Sequence, residues 1–290
     1  MSNETTAELE GAVLLRGWDA LESARRPARH AKIDWSARTD IGRVRENNED
    51  KFDFFLPDEP VVLGMRGRLW AVADGMGGHS AGQIASEAAL KALVRSYFAE
   101  SELDAEEALK AALADANALI HRASRQFENA GGMGTTVVVA VVREDTLTVA
   151  HIGDSRAYLL REGEKLRQLT TDHSWVEEQV RRGALSREEA EQSPYKNYIT
   201  RSVGVMETAE PDIVTETLRE GDLILLCSDG LSGYLDGPEL EAALRKDTNP
   251  SRIALRLIDA ANDAGGKDNI TALVLRVRSV GDWREPEPGA

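Results

Sequence analysis

The 290-residue chain carries 50 acidic against 35 basic side chains, a formal net charge of −15, and is 42% hydrophobic. That balance suits a globular protein with a sizeable core and argues against nucleic acid, whose binding needs Lys and Arg against phosphates. One cysteine, Cys227, excludes an intrachain disulfide, no apolar run is long enough for a membrane span, and the N-terminus lacks the pattern of a secretory signal, so a cytoplasmic location is expected.

Residues 1–33 stand apart. Leu14, Trp18 and Leu21 recur at helical spacing beside Gly11 and Gly17, and a basic cluster of Arg25, Arg26, Arg29, His30 and Lys32 follows. This extension is expected to be helical or disordered, with one domain over residues 34–280. Apolar runs rich in β-branched residues predict strands at 69–73, 135–142, 146–152, 157–160, 222–227 and 271–277. Helices are predicted over 80–99, where Leu90, Val94 and Phe98 recur, over 105–128, where Leu109, Leu113, Ala116, Ile120 and Phe127 make one apolar face, and over 251–264. Several strands follow one another through 135–170 instead of alternating with helices. That order points to antiparallel sheets with helices packed outside, not to a doubly wound parallel sheet. Residues 281–290, acidic with two prolines after Glu285, are expected to fray.

The chemistry lies where strands meet loops. Asp74-Gly75 ends one apolar strand, Asp229-Gly230 ends another, and Asp268-Asn269 opens a third. Asp154 follows Ala-His-Ile-Gly, and Glu49-Asp50 precedes the aromatic run Phe52, Phe54, Phe55. Any one Asp-Gly pair is ordinarily a turn. If these strand ends converge, however, several carboxylates share a small volume, which is costly unless a cation neutralises them. Oxygen ligands without His or Cys pairs favour Mg²⁺ or Mn²⁺, and Gly75 leaves its carbonyl free to approach a metal. Arg45, five residues before Asp50, is either a phosphate-binding guanidinium or an exposed arginine without a role. Cys227 sits in an apolar strand and reads as a small buried hydrophobe, not a nucleophile.

Seven blocks in order carry a family resemblance over roughly residues 34–278. They are Thr39-Asp-Ile-Gly-Arg-Val-Arg-Glu-Asn-Asn-Glu-Asp50, Ala73-Asp-Gly-Met-Gly-Gly-His-Ser-Ala-Gly82, Gly132-Met-Gly-Thr-Thr136, His151-Ile-Gly-Asp-Ser-Arg156, Leu169-Thr-Thr-Asp-His173, Cys227-Ser-Asp-Gly-Leu231 and Lys267-Asp-Asn-Ile-Thr271. With them the chain resembles the PPM, or PP2C, family of metal-dependent protein serine/threonine phosphatases, bacterial type. The resemblance implies an α+β fold, a four-layer α-β-β-α sandwich of two mainly antiparallel sheets flanked by helices. It implies hydrolysis of phosphoserine and phosphothreonine by a metal-bridging hydroxide, with two Mn²⁺ or Mg²⁺ ions per site and room for a third.

Residue by residue, the resemblance makes Asp74, the Gly75 carbonyl, Asp229 and Asp268 metal ligands, with Asp50 reaching the metals through water and Glu49 beside it. Arg45 matches the phosphate-binding arginine, Asp154 the ligand of the third metal, and Asn197 a further contact to that metal. A flap is expected near residues 174–203. Where animal relatives carry a histidine, this chain has Met76, which offers no proton. His79, His151 and His173 are read as structural. The partners implied are phosphoproteins and a serine/threonine kinase, with the enzyme monomeric and free of nucleic acid and membrane. An inactive phosphoprotein-binding relative and a small-molecule phosphoesterase are the competing readings.

Overall fold

The computed structural model describes residues 14–15, 17–21, 24–77, 81–99, 102–126 and 132–284. After a 3₁₀ turn at Trp18–Ala20 come β1 (Arg29–Asp40), β2 (Lys51–Phe55), α1 (Pro60–Met65), β3 (Arg68–Ala73) and the short β4 (Gly75–Met76). Helices α2 (Ala81–Tyr97) and α3 (Ala105–Gln126) follow, then β5 (Gly134–Thr135), β6 (Val137–Arg143), β7 (Thr146–Ile152), β8 (Arg156–Leu160) and β9 (Arg167–Gln168). Two short helices, α4 (Trp175–Arg181) and α5 (Arg187–Glu191), precede β10 (Asp212–Thr217) and β11 (Leu223–Cys227). The chain closes with α6 (Asp229–Ser232), α7 (Gly237–Arg245), α8 (Pro250–Asp263) and β12 (Ile270–Asp282).

Two five-stranded sheets form, in the orders β1-β12-β11-β8-β9 and β10-β7-β6-β3-β2, and every pairing is antiparallel. The period-2 alternation of a strand sorts side chains between layers. In β3, Trp70 and Val72 enter the core between the sheets, while Leu69, Ala71 and Ala73 face α2 and α3. In β11, Ile224 and Leu226 join the same inter-sheet core, while Leu223, Leu225 and Cys227 face α7 and α8. Each central strand is buried on both sides, which is why its sequence is a continuous apolar run and not an alternating one. The result is the expected four-layer sandwich.

The antiparallel register gathers the chemistry at one end. Asp40 pairs with Ile270, Cys227 with both Ala272 and Arg156, and Lys51 with Ala73. The residues just outside those pairs are Asp50, Asp74, Asp154, Asp229 and Asp268.

Several elements differ from the sequence expectation. β1 crosses the expected boundary at residue 33, because Ala31, Ile33, Trp35 and Ala37 pack into the inter-sheet core while His30 and Lys32 alternate with them. α7 rests on a capping box in which Asp236 accepts from the Glu239 N–H and the Glu239 carboxylate accepts from the Asp236 N–H. β12 runs on to Asp282, two residues into the stretch expected to fray, and residues 285–290 lie outside the described set. The predicted helix to 128 is described as far as Gln126.

The described part of the extension around Trp18 packs into the helical layer. Trp18 is 1% exposed, and its indole N–H points to the Leu14 and Phe98 carbonyls at 3.3 and 3.2 Å. Beneath it lies the fully buried Arg66, whose guanidinium carbon is 5.0 Å from the Trp18 ring and 5.7 Å from that of Tyr97. Arg66 donates to the Tyr97 and Leu103 carbonyls, both at 3.0 Å, and the Tyr97 hydroxyl donates to the Arg66 carbonyl at 2.7 Å. A buried cation so placed needs the aromatic face above it. Trp18→Ala should therefore lower unfolding stability by about 3–5 kcal/mol in urea titrations; a loss below about 1 kcal/mol would show that the extension merely rests on the domain.

Candidate metal centre

Asp50 is fully buried. Its Oδ2 accepts from the Ser228 hydroxyl at 2.6 Å and the Thr271 hydroxyl at 2.7 Å, while its Oδ1 is buried without a hydrogen-bond partner. Burial pushes this carboxyl up to about 7; the two hydroxyls pull it down, and the charges of Asp229 and Asp268 add to the rise. Asp74 lies beyond the end of β3, where its backbone is held at both ends. Its carbonyl accepts from the Thr136 N–H at 2.9 Å and the Thr135 hydroxyl at 2.8 Å, and its N–H donates to Thr136 Oγ1 at 3.1 Å. Burial, then the charges of Asp50, Asp229 and Asp154, hold the Asp74 carboxyl well above the usual range.

Asp229 opens α6 directly after Ser228, and burial and Asp268 raise its carboxyl. Asp154 sits in the β7–β8 turn at 8% exposure, its Oδ1 also buried without a partner. Burial, then Asp229 and Asp172, push it up to about 8. Asp268 is more open, and its Oδ2 accepts from Arg45 Nη2 at 2.7 Å. Both side chains of this ion pair are partly exposed, so the pair is weak and can be exchanged for another anion or cation.

Gly75 is required by close packing. A Cβ there would lie 2.1 Å from the Gly82 carbonyl oxygen and 2.8 Å from that of Glu49. Glu49 turns its carboxylate over Gly82 and serves the site through its backbone: its N–H donates to Asn269 Oδ1 at 2.8 Å, and its carbonyl accepts from the Gly75 N–H at 3.3 Å and the Ser86 hydroxyl at 2.6 Å. Asn197 is exposed, and among the described residues no hydrogen bond joins it to the carboxylates. Met76 pairs with Gly134 and brings no proton donor. His79 lies outside the described residues. Cys227 is fully buried, and burial pushes its thiol up to about 12, which rules it out as a nucleophile.

The carboxylates are legible in the sequence; the hydroxyls that hold them are not. Ser228, Thr271, Thr135 and Thr136 each bond an aspartate, and Thr136 Oγ1 lies 2.7 Å from Ser155 Oγ, beside Asp154. Asn269 ties its own loop to two points of the β1–β2 connection, its amide N–H groups reaching the Ile41 and Asn47 carbonyls at 3.0 and 2.9 Å. All lie inside the motif blocks; Ser155, Ser228 and Asn269 adjoin an aspartate in the chain, whereas Thr135, Thr136 and Thr271 reach theirs only through the fold.

The residues fit divalent cations. Asp50 and Asp154 each carry a buried oxygen without a hydrogen-bond partner, and the charges of Asp74 and Asp229 act on the same cluster. Removing such carboxylates from water costs several kcal/mol each unless a cation or proton compensates. An all-oxygen donor set selects a hard cation such as Mg²⁺ or Mn²⁺.

A two-sheet sandwich whose strand ends present clustered aspartates beside an arginine defines the class: an α+β protein with a carboxylate centre for divalent metals. The family profile described as Protein phosphatase 2C matches residues 43–271, and the chain belongs to that family. It is 38% identical over 244 residues to the serine/threonine phosphatase stp of Listeria monocytogenes, covering 82% of this chain and 93% of that one. It is 39% identical over 248 residues to protein phosphatase PhpP of Streptococcus pneumoniae, covering 84% and 97%. Among solved structures, Stp1 from Staphylococcus aureus superposes with a TM-score of 0.80 at 31% identity, covering 89% of this chain and 100% of that one. The catalytic domain of PstP in complex with two manganese ions superposes with a TM-score of 0.74 at 36% identity, covering 86% and 100%.

The raised carboxyls set a pH dependence. In the metal-free protein Asp50 and Asp154 hold protons up to about 7 and about 8, whereas unfolded aspartates release theirs near 3.8. The folded state thus binds more protons across that window, and stability falls as pH rises through it. With EDTA present, Tm should drop between pH 5 and pH 8, and Mn²⁺ should raise Tm more at pH 8 than at pH 5. A metal-free Tm that climbs with pH would contradict the clustered carboxylates.

Proposed function

We propose that this chain is a metal-dependent protein serine/threonine phosphatase that hydrolyses phosphoserine and phosphothreonine in proteins, with Asp74, Asp229, Asp268, the Gly75 carbonyl and Asp50 holding two divalent cations and Asp154 serving a third. The observation that carries this reading is the convergence of buried, unsatisfied aspartate oxygens at the end of the sandwich, in a chain that belongs to the protein phosphatase 2C family. When bound, Mn²⁺ or Mg²⁺ supplies Lewis-acid activation of water and neutralises phosphoryl charge.

The chain's own residues supply position. Ser228 and Thr271 fix Asp50 Oδ2 and so turn Oδ1 toward its neighbours; Thr135 and Thr136 fix the Asp74 backbone. Arg45, 54% exposed at the rim and bonded to Asp268, is placed to release that partner and fork onto a substrate phosphate. Asn197 is a candidate for the third cation only if its exposed segment moves. No helix among the described residues is long and apolar enough to cross a membrane. The partners that suit this reading are phosphoproteins and a serine/threonine kinase of the same cell.

Two substitutions test the roles separately. Asp229→Asn should cut kcat on a phosphothreonine peptide by about 10²–10³-fold or more, as expected when preorganised charge is lost, with Tm preserved; wild-type turnover in saturating Mn²⁺ would remove Asp229 from the centre. Arg45→Ala should raise KM for the peptide by about 10–100-fold, the worth of charge-assisted hydrogen bonds, with a smaller change in kcat. An unchanged KM would leave Arg45 as a partner of Asp268 alone.

A further inference from the structure

Behind the carboxylates lies a second cluster that the reaction does not use. Ligand atoms of His151, His173 and Asp212 lie within 4.8 Å of one another, a spacing that suits a cation. Their hydrogen bonds commit them elsewhere. The Gly153 N–H donates to His173 Nδ1 at 3.0 Å, so the ring proton sits on Nε2, which faces Asp212 Oδ2 at 3.4 Å and has no lone pair for a metal. His151 Nε2 donates to the Thr171 carbonyl at 2.8 Å. Arg201 Nη1 stands 3.1 Å from His173 Nε2 and spends its hydrogens on Asp212 Oδ1 at 2.7 Å and the Glu210 carbonyl at 2.9 Å. A guanidinium therefore holds the position a cation would need. The cluster is a clamp.

His173 is its centre. Its ring stacks on His151, with centroids 4.6 Å apart and planes 17° apart. Its backbone N–H donates to the Gly153 carbonyl at 3.0 Å, so both polar backbone groups of Gly153 are bonded to this one residue. Gly153 has φ +113°, and a Cβ there would lie 2.6 Å from Thr136 Cβ, so Thr136 fixes it from the other side. The next residue is Asp154. The His173 carbonyl accepts from the Thr200 N–H at 2.8 Å, Trp175 N–H donates to the Tyr198 carbonyl at 2.8 Å, and Ser174 bridges Ile199. His173 thus joins the turn that carries Asp154 to the neck of the excursion over residues 174–200. Burial, with His151 and Arg201 nearby, pulls its ring down to about 4, so the ring stays neutral and Nδ1 keeps its lone pair.

We propose that His173 is a positioning residue for Asp154: by clamping both backbone groups of Gly153 it sets the Asp154 carboxylate, and through Thr200, Asp212 and Arg201 it links that setting to the 174–200 segment. The proposal rests on the reading of Asp154 as a cation ligand.

Two substitutions divide the two halves of the ring. His173→Asn puts an amide oxygen where Nδ1 lies and keeps the acceptor for Gly153; His173→Gln puts an amide N–H near Nε2 and loses that acceptor. Metal-stripped full-length protein is titrated with Mn²⁺ in a calorimeter, with Asp154→Asn as the reference and metal-free Tm as the check on folding. Half-maximal Mn²⁺ for turnover of p-nitrophenyl phosphate is the second readout. The weakest Mn²⁺ step should vanish in Asp154→Asn, weaken about 10-fold or more in His173→Gln, as when an outer-shell support is removed, and stay near wild type in His173→Asn. Wild-type Mn²⁺ binding in His173→Gln, with the step lost in Asp154→Asn, overturns the positioning role and leaves Asp154 a ligand. Equal loss in His173→Asn and His173→Gln also overturns it, because the Gly153 acceptor would then be irrelevant. An unchanged titration in Asp154→Asn overturns the cation reading itself.

Discussion

Five aspartates drawn together at the end of a sandwich repel one another, and burial removes the water that would screen them. Asp50, Asp74, Asp154 and Asp229 all hold their protons above the ordinary carboxylate range for that reason. The protein opposes this with fixed donors: hydroxyls of Ser228 and Thr271 on Asp50, and backbone and hydroxyl clamps from Thr135 and Thr136 on Asp74. These supports satisfy one oxygen of Asp50 and leave the other bare. The arrangement is stable only with a positive charge at its centre, whether protons or a divalent cation, and everything around it keeps the carboxylates from turning away.

The sandwich gives this centre its rigidity. Strands β3, β6, β11 and β12 are buried on both faces, so their ends cannot slide without exposing two cores at once. Antiparallel register then fixes which residues emerge side by side, and Asn269 pins the β1–β2 connection at Ile41, Asn47 and Glu49. Beyond these fixed parts stands the 174–200 excursion, whose helix α4 has no buried residues. It hangs from the sheets by a narrow neck at His173, which gives that neck leverage over the turn that holds Asp154.

What the sequence made legible follows from how local each signal is. The buried strands were clear because two apolar faces make an unbroken apolar run, and the long helices were clear from their periodicity. The strand β1 was masked by its own chemistry: Ala31, Ile33, Trp35 and Ala37 do alternate, but the residues between them include Lys32, Asp34 and Ser36, and the basic run at its start resembles a solvated tail. Trp18 could not be placed from sequence, because its partners Arg66 and Phe98 lie far along the chain. The aspartates stand out by their position at the ends of apolar strands. The hydroxyls and His173 act through contacts between distant segments, which spacing alone does not encode.

The central claim is that divalent cations bind among Asp50, Asp74, Asp229 and Asp268, with the Gly75 carbonyl. Anomalous diffraction at the manganese edge, from crystals grown with Mn²⁺, tests it directly. Two anomalous peaks among those oxygens are predicted. Their absence, or manganese found instead at His151, His173 and Asp212, would contradict the account.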